Sequence, residues 1–203
     1  MSLLPPAPNP IDAALRLIDR ELWIITATHN DRRGGLLATW VSTASIDPEH
    51  PVLLAGLGPN HFTAELVLSS NAFAAHLLRP DQIELAWNFA DGSGRDRDKF
   101  ASLVARTSDT ASPVLSDCLA WFDCRVIRHY SAGDRLFFWA DIAGCSGPEQ
   151  PDAANTPEHT KPLREHEFFA QLTPDQRQKL LADRNFDIAL NRPSHEKWRT
   201  QTP

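Results

Sequence analysis

The sequence predicts a mainly β protein with short helices, built as one antiparallel domain and followed by a C-terminal helical extension. Three observations carry this reading. Short apolar runs, several alternating with period two, are separated by Gly and Pro. Two long alternating segments, Cys118–Arg128 and Leu136–Ile142, flank a turn at Ser131–Asp134. Finally, Thr173, Pro174 and Gln176 follow a Pro-rich stretch in the pattern of an N-cap, a first-turn proline and a capping-box partner. The chain of 203 residues suffices for one substantial core. The expected organisation is an extended arm over 1–10, a core domain over 11–146, a linker over 147–163 and a helical extension over 164–203.

In chain order, Ile11, Ala14, Leu15, Ile18 and Leu22 recur at three and four residues and predict a helix over 11–22. Trp23 to His29 is β-branched and aromatic, a strand, and Gly34 and Gly35 are expected to supply the turn that ends it. Leu36 to Ala44 reads as the next strand, unusually rich in small and hydroxylated residues. Val52 to Leu57 is a short strand closed by Gly58-Pro59-Asn60, after which a helix begins at His61. Asn71 to Leu78 returns to strand composition, and Asp81 is expected to cap a helix reaching Phe89. In the hairpin, Ala120, Phe122, Cys124 and Val126 share one face with Leu136, Phe138, Ala140 and Ile142 on the partner strand. Trp121, Ile127, Phe137 and Trp139 lie on the opposite faces, so helices or a second subunit should cover part of them.

Composition narrows the function. Against 26 Asp and Glu stand 20 Lys and Arg, a formal net charge of −6 that repels a phosphate backbone, so no nucleic-acid partner is expected. No apolar run approaches a membrane span, and Met1 to Pro10 lacks a secretion signal, so a cytoplasmic location away from membranes is expected. Cys118, Cys124 and Cys145 have no metal-site spacing and read as small buried hydrophobes, and no metal is expected. Ser42 and Ser45 lack a GxSxG elbow, so no residue is assigned a catalytic role.

Three segments are candidates for binding. The run Gly34 to Pro48 offers backbone donors and acceptors beside small side chains, which suits either a flat conjugated ligand or close helix packing; it lacks GxGxxG. Gly58-Pro59-Asn60-His61-Phe62-Thr63-Ala64-Glu65 combines helix-start N–H groups with the Thr63 hydroxyl, which fits a phosphate but also an ordinary helix cap. Asp91 to Phe100 is a charged loop ending in a cation and a ring, a candidate rim for an anionic aromatic ligand or a solvated loop.

Taken in order, these segments resemble the flavin reductase-like family. The resemblance runs from about Ala13 to Ala143 and is strongest in Gly35-Leu36-Leu37-Ala38-Thr39-Trp40, Ala44-Ser45-Ile46-Asp47-Pro48, Asn71-Ala72-Phe73-Ala74-Ala75-His76-Leu77-Leu78 and Asp98-Lys99-Phe100. It implies an FMN-binding split β-barrel, here with a C-terminal helical extension, working as a homodimer. It implies that Ala38, Thr39, Trp40, Val41, Ser42 and Thr43 run beside the isoalloxazine ring, with Ala44 and Ser45 near the ribityl and phosphate end. Asn60, His61 and Thr63 match the phosphate-binding positions, and Lys99 and Phe100 a pair near the ring and its substrate side. The flavin carries the reactive chemistry in such proteins, so the absence of an acid, base or nucleophile is no obstacle.

The chain departs from the family at several places. Where relatives carry a histidine near the nicotinamide and a later glycine, this sequence has Arg135 and Ala140. Asp47-Pro48-Glu49-His50-Pro51 replaces an aspartate followed by two prolines. The resemblance implies an oxidoreductase passing reducing equivalents from NADH or NADPH through bound FMN to free flavin or a partner acceptor such as an oxygenase, with Arg135 and Phe100 on the substrate side. The alternatives are an FMN-binding electron carrier or ligand-binding protein without nicotinamide oxidation, and a structural or interaction module.

Overall fold

The computed structural model describes residues 10–15, 17–147 and 161–201. Its elements are α1 (Pro10–Leu15), β1 (Trp23–His29), β2 (Arg32–Ala38), β3 (Val41–Thr43), β4 (Val52–Leu57), α2 (Phe62–Ser70), β5 (Ala72–Leu77), α3 (Ile83–Ala90), β6 (Ala105–Thr107), β7 (Pro113–Leu115), β8 (Ala120–Ser131), β9 (Leu136–Ser146), α4 (Glu165–Gln171) and α5 (Pro174–Thr200). Seven strands form one antiparallel sheet in the order β2-β1-β5-β8-β9-β4-β3, and β6 pairs with β7 alone.

The two edges of the large sheet, β2 and β3, are consecutive in sequence and separated only by Thr39 and Trp40. Seven flat strands would hold those edges about 29 Å apart. Three Cα steps span at most about 11 Å. The sheet must therefore curl until its edges nearly meet, which makes it a split barrel. The expected continuous strand over Leu36–Ala44 is broken at this point. Ala38 still pairs with Trp23, whereas Val41 pairs with Ala55 on the opposite edge.

The turn after β1 corrects one expectation. His29 faces Arg32, so the loop is Asn30-Asp31, both with positive φ (48° and 60°), a combination matched to the twist of a two-residue hairpin. Gly34 and Gly35 lie inside β2, and their role is closeness. A Cβ on Gly34 would come within 2.9 Å of Leu66 and Phe62 side-chain atoms, and one on Gly35 within 2.4 Å of the Phe89 ring. The missing side chains let α2 and α3 lie on the sheet.

Two apolar cores result. One, inside the curl, joins Ile25, Leu53, Leu57, Phe73 and Phe138 to Phe62, Leu66 and Val67 of α2. The second, on the other side of β1, joins Leu22, Ile24 and Leu78 to Phe89, Phe100, Leu163 and Phe168. In the β8–β9 hairpin Leu136, Phe138 and Ala140 are buried, in keeping with the alternation, while Phe137 and Trp139 are half-buried and Ile127 is exposed. Register shifts leave Ala143 of β9 and Ile127 of β8 without direct partners, one bulge in each strand. Of the cysteines, Cys124 is buried and Cys118 half-buried, its thiol pushed up to about 12 by burial. Cys145 is exposed near the end of β9, contrary to the expected burial.

The ends of the chain differ from the sequence reading. The first helix stops at Leu15 and buries none of its residues. The expected helical stretch beyond it is instead drawn into backbone pairing with the C-terminal segment: Leu22 N–H donates to the Leu163 carbonyl, Glu165 N–H to the Arg20 carbonyl, and Glu21 bridges Arg164. Leu163, placed in the linker by sequence, is thereby fully buried. The expected arm over 1–9 and the linker over 148–160 lie outside the described residues. Gln82 rather than Asp81 precedes α3, because Asp81 pairs with Arg79. Thr173 and Gln176 form the expected capping box at the start of α5, with Thr173 Oγ1 accepting from Gln176 N–H. Among the described residues no helix is long and apolar enough to cross a membrane.

His76 links β5 to its neighbours. Its Nδ1–H donates to the Ile24 carbonyl at 2.9 Å and its Nε2 accepts from Leu115 N–H at 3.1 Å. Complete burial lowers its pKa from 6.5 to about 4, against the raising effect of the Ile24 hydrogen bond. Protonation would set an N–H against the Leu115 N–H. The unfolded chain therefore binds the proton more readily, and stability present above pH 6.5 is lost as pH falls toward 4. The full difference is worth about 3 kcal/mol. Chemical denaturation at pH 7 and pH 4 should show a loss of that order in the wild type, reduced in His76→Gln measured over the same interval.

Candidate functional site

The edge-to-edge crossover produces a groove. Thr39, Trp40, Val41 and Ser42 line it together with Leu54, Phe137, Arg20 and Glu21, around a volume of about 360 Å³. Gly56 N–H donates to the Trp40 carbonyl at 2.7 Å, which pins the crossover. A Cβ on Gly56 would fall 3.2 Å from Trp40 Cβ and 3.1 Å from the Phe137 ring, so glycine permits this approach. The Trp40 and Phe137 rings stack with centroids 6.0 Å apart, and the Arg135 guanidinium lies 5.0 Å from the Trp40 ring. Arg135 also donates to the Asp134 carbonyl.

The second cluster lies where β4 gives way to α2. Gly58, Pro59 and Asn60 turn the chain so that α2 begins just beyond His61, and no side chain caps the helix. Its first-turn N–H groups, unpaired within the helix, lie at the end that favours negative charge. Thr63 is buried in this turn. Asn60 Nδ2 donates to Asp187 Oδ1 at 2.8 Å, and His61 Nε2 contacts Asp187 Oδ2 at 2.9 Å. Asn191 Nδ2 donates to Asn60 Oδ1. Burial pushes the Asp187 carboxyl up, but the hydrogen bonds from His61 and Asn60, with the charges of His61 and Arg135, hold it below the usual carboxylate range. Two guanidinium groups flank the turn: Arg95 donates to the Asn60 carbonyl and lies 5.3 Å from the Phe62 ring, and Arg32 lies 4.5 Å from that ring. His61 Nδ1 is buried without a partner. A donor set that already holds both oxygens of a carboxylate fits the oxygens of a phosphate.

The structure thus brings Thr39 to Ser42 together with Arg135, and separately gathers Asn60, His61 and Thr63. Ala38 is buried at the end of β2. Thr43 and Ala44 are exposed, and Ser45 accepts from Asp47 N–H in the following turn. Ala140 is completely buried and does not face the groove. Lys99 and Phe100 correct the expectation of an exposed rim. Lys99 donates to the Phe89 carbonyl at 2.8 Å, supplying the cation that the last turn of α3 lacks, and Phe100 packs edge-on against Phe89 in the second core. Burial, with the nearby Arg97 charge, lowers the Lys99 pKa to about 8.

Residue order and the curled antiparallel sheet coincide with a known family. The chain matches the Flavin reductase like domain family over residues 15–177. It belongs to that family. The flavin reductase-like fold is also evident in solved structures: a flavin reductase domain protein from Arthrobacter sp. FB24 superposes with a TM-score of 0.65 at 19% identity, covering 78% of this chain and 90% of that one. The FMN-binding protein from Thermus thermophilus gives 0.62 at 21% identity, covering 72% and 81%. Diflavin flavoprotein A 1 of Synechocystis sp. is 26% identical over 133 residues, 65% of this chain but 23% of that protein. The chain spans about a quarter of the length of the diflavin relatives it matches.

Sequence reasoning missed Arg32, Arg95, Asp187 and Asn191. Arg95 lay within the charged loop already singled out. Asp187 and Asn191, four apart, share one helix face, but nothing in a polar helix announces what that face meets.

Proposed function

We propose that the protein binds FMN non-covalently and passes reducing equivalents from NADH or NADPH through it to free flavin or a partner acceptor such as an oxygenase. The observation that carries this reading is the uncapped start of α2, where Asn60 and His61 already grip a two-oxygen anion, in a barrel whose crossover opens a groove walled by Trp40 and Phe137. Membership of the flavin reductase-like family and likeness to an FMN-binding protein of Thermus thermophilus support the choice of flavin.

In this reading Asn60, His61 and Thr63 hold the phosphate with neutral or switchable donors and the helix end. Ala38 to Ser45 supply polar backbone and small side chains along the ring, and Trp40 and Phe137 exclude water from one wall. FMN supplies hydride acceptance and electron release when bound. Arg135, beside Trp40, presents donors for the phosphate or carboxamide of a nicotinamide nucleotide, in place of the family histidine. The Lys99 and Phe100 side chains stabilise the loop from within. A homodimer covers the apolar outer surface of the hairpin, where Ile127 and Tyr130 are exposed beside half-buried Trp139. Sedimentation at micromolar concentration should show twice the chain mass of 22.6 kDa; a single monomeric species rejects the dimer.

A second reading, an FMN-binding electron carrier without nicotinamide oxidation, is favoured by Arg135 being engaged already with Asp134 and Trp40. Two experiments test the pair. Titration of FMN should quench its fluorescence, and Thr63→Ala should weaken binding by about ten- to a hundredfold, the worth of a hydrogen bond to a charged group. Under anaerobic conditions NADH or NADPH should bleach the bound flavin near 450 nm faster than free flavin in buffer, and Arg135→Ala should slow it. Binding without accelerated bleaching selects the carrier.

A further inference from the structure

The C-terminal helix α5 is attached in an unusual way. It is 27 residues long, yet Asn191 is the one residue among its described side chains that is buried, and its apolar Leu181, Phe186, Ile188 and Leu190 are each at least 41% exposed. Apart from Leu180, which is partly buried against the second core, its attachments are polar: Lys179 to Asp91, Arg184 to Asp12, Asp187 to Asn60 and His61, Asn191 to Asn60, and Trp198 Nε1–H to the Tyr130 hydroxyl. Exposed ion pairs contribute little each, and a helix that buries so little apolar surface opens locally at low free energy.

The centre of this polar attachment coincides with the anion-holding turn. Asp187 places one oxygen on each of the two side-chain donors, Asn60 Nδ2 and His61 Nε2, and Asn191 holds the acceptor end of the same Asn60 amide. A phosphate brought to these donors meets a carboxylate already there. Two anions cannot share them, and the nearby Arg95 is committed to the Asn60 carbonyl and Glu65.

We propose that α5 is an autoinhibitory strap: in the ligand-free chain Asp187 occupies the anion-binding donors of Asn60 and His61, and a phosphate-bearing ligand binds by expelling it. This rests on the assignment of Asn60, His61 and Thr63 to a flavin phosphate. Ligand entry and release of α5 are then one event. Removing the carboxylate strengthens binding of the phosphorylated ligand alone, because a ligand without phosphate has no quarrel with Asp187.

The test uses the full chain. Dissociation constants for FMN and for riboflavin, which has the same ring without the phosphate, are measured by fluorescence quenching in wild type, Asp187→Ala and Asp187→Asn. FMN affinity should rise by about tenfold in both variants while riboflavin affinity stays within about twofold. Hydrogen exchange of α5 amides over 180–195 should accelerate in the wild type when FMN is added. Unchanged or weakened FMN binding in the variants, or unchanged exchange in α5 at saturating FMN, overturns the strap and leaves the flavin assignment standing. Equal gains for FMN and riboflavin also overturn it, since they locate the obstruction at the ring. Failure of FMN to bind any of the three proteins overturns strap and flavin assignment together.

Discussion

The demand that β2 and β3 occupy opposite edges of one sheet while only two residues separate them organises the molecule. It forces the curl, and the curl decides what is inside: Leu53, Leu57, Phe73 and Phe138 converge because the sheet has no flat alternative. It also places a seam where the edges approach, and the seam cannot be packed like the interior. The crossing backbone is tied by one hydrogen bond from Gly56 to the Trp40 carbonyl, and the remaining space is the groove. The groove at this seam is a consequence of closure rather than an addition to it.

The same closure explains where the anion-holding turn lies. Strand β4 carries β3 on one side and β9 on the other, so the chain leaving β4 at Gly58 emerges at the barrel end, where α2 then starts. Buried Phe62, Leu66 and Val67 fasten the helix to the inner core, and Gly34 admits it close to β2. Apolar packing thus fixes the body of the helix, while the polar side chains of Asn60 and His61 at its start are turned toward α5, where Asp187 and Asn191 meet them. Arg32 and Arg95, drawn to the Phe62 ring, set positive charge beside it.

Much of this was legible in the sequence because period-two alternation reports burial directly. The β8–β9 hairpin and the capping box at Thr173 follow from local rules, and the structure keeps both. The strand order does not follow from periodicity; resemblance to the flavin reductase-like family supplied the barrel. The errors have physical causes. Gly34-Gly35 was read as conformational freedom when the need was space for Phe62, Leu66 and Phe89, and Asn30-Asp31 took the turn. A charged loop is usually solvated, which makes Lys99 and Phe100 look like a rim; here the last turn of α3 lacks a cation, which Lys99 supplies, and Phe89 offers a ring for Phe100 to pack against in the second core. At the candidate site the stretch Thr39 to Ser42 and the turn at Thr63 were visible as small-residue and helix-start patterns. The contribution of α5 was not, since a polar helix carries no sequence mark of the surface it meets.

The polarity of α5 makes physical sense if, as proposed, it lies beside a site that is alternately filled and empty. Polar groups gathered at a helix start are unfavourable when desolvated without partners, and His61 Nδ1, buried and unpartnered, is one such group in this turn. A side-chain carboxylate relieves the others, offering charge and paired oxygens like those of a phosphate. It is the weaker of the two acceptors, with less charge and fewer oxygens, and on the proposed reading it yields to the stronger. Had α5 been fastened by a buried apolar face, displacement would expose that face to water and the exchange would be opposed by the hydrophobic effect. Fastened by exposed ion pairs, a few hydrogen bonds and the partial burial of Leu180, it exchanges protein contacts for water at small net change. The low apolar content of its docked face and the carboxylate at its centre are therefore two parts of one property: an attachment specific in position and weak in total.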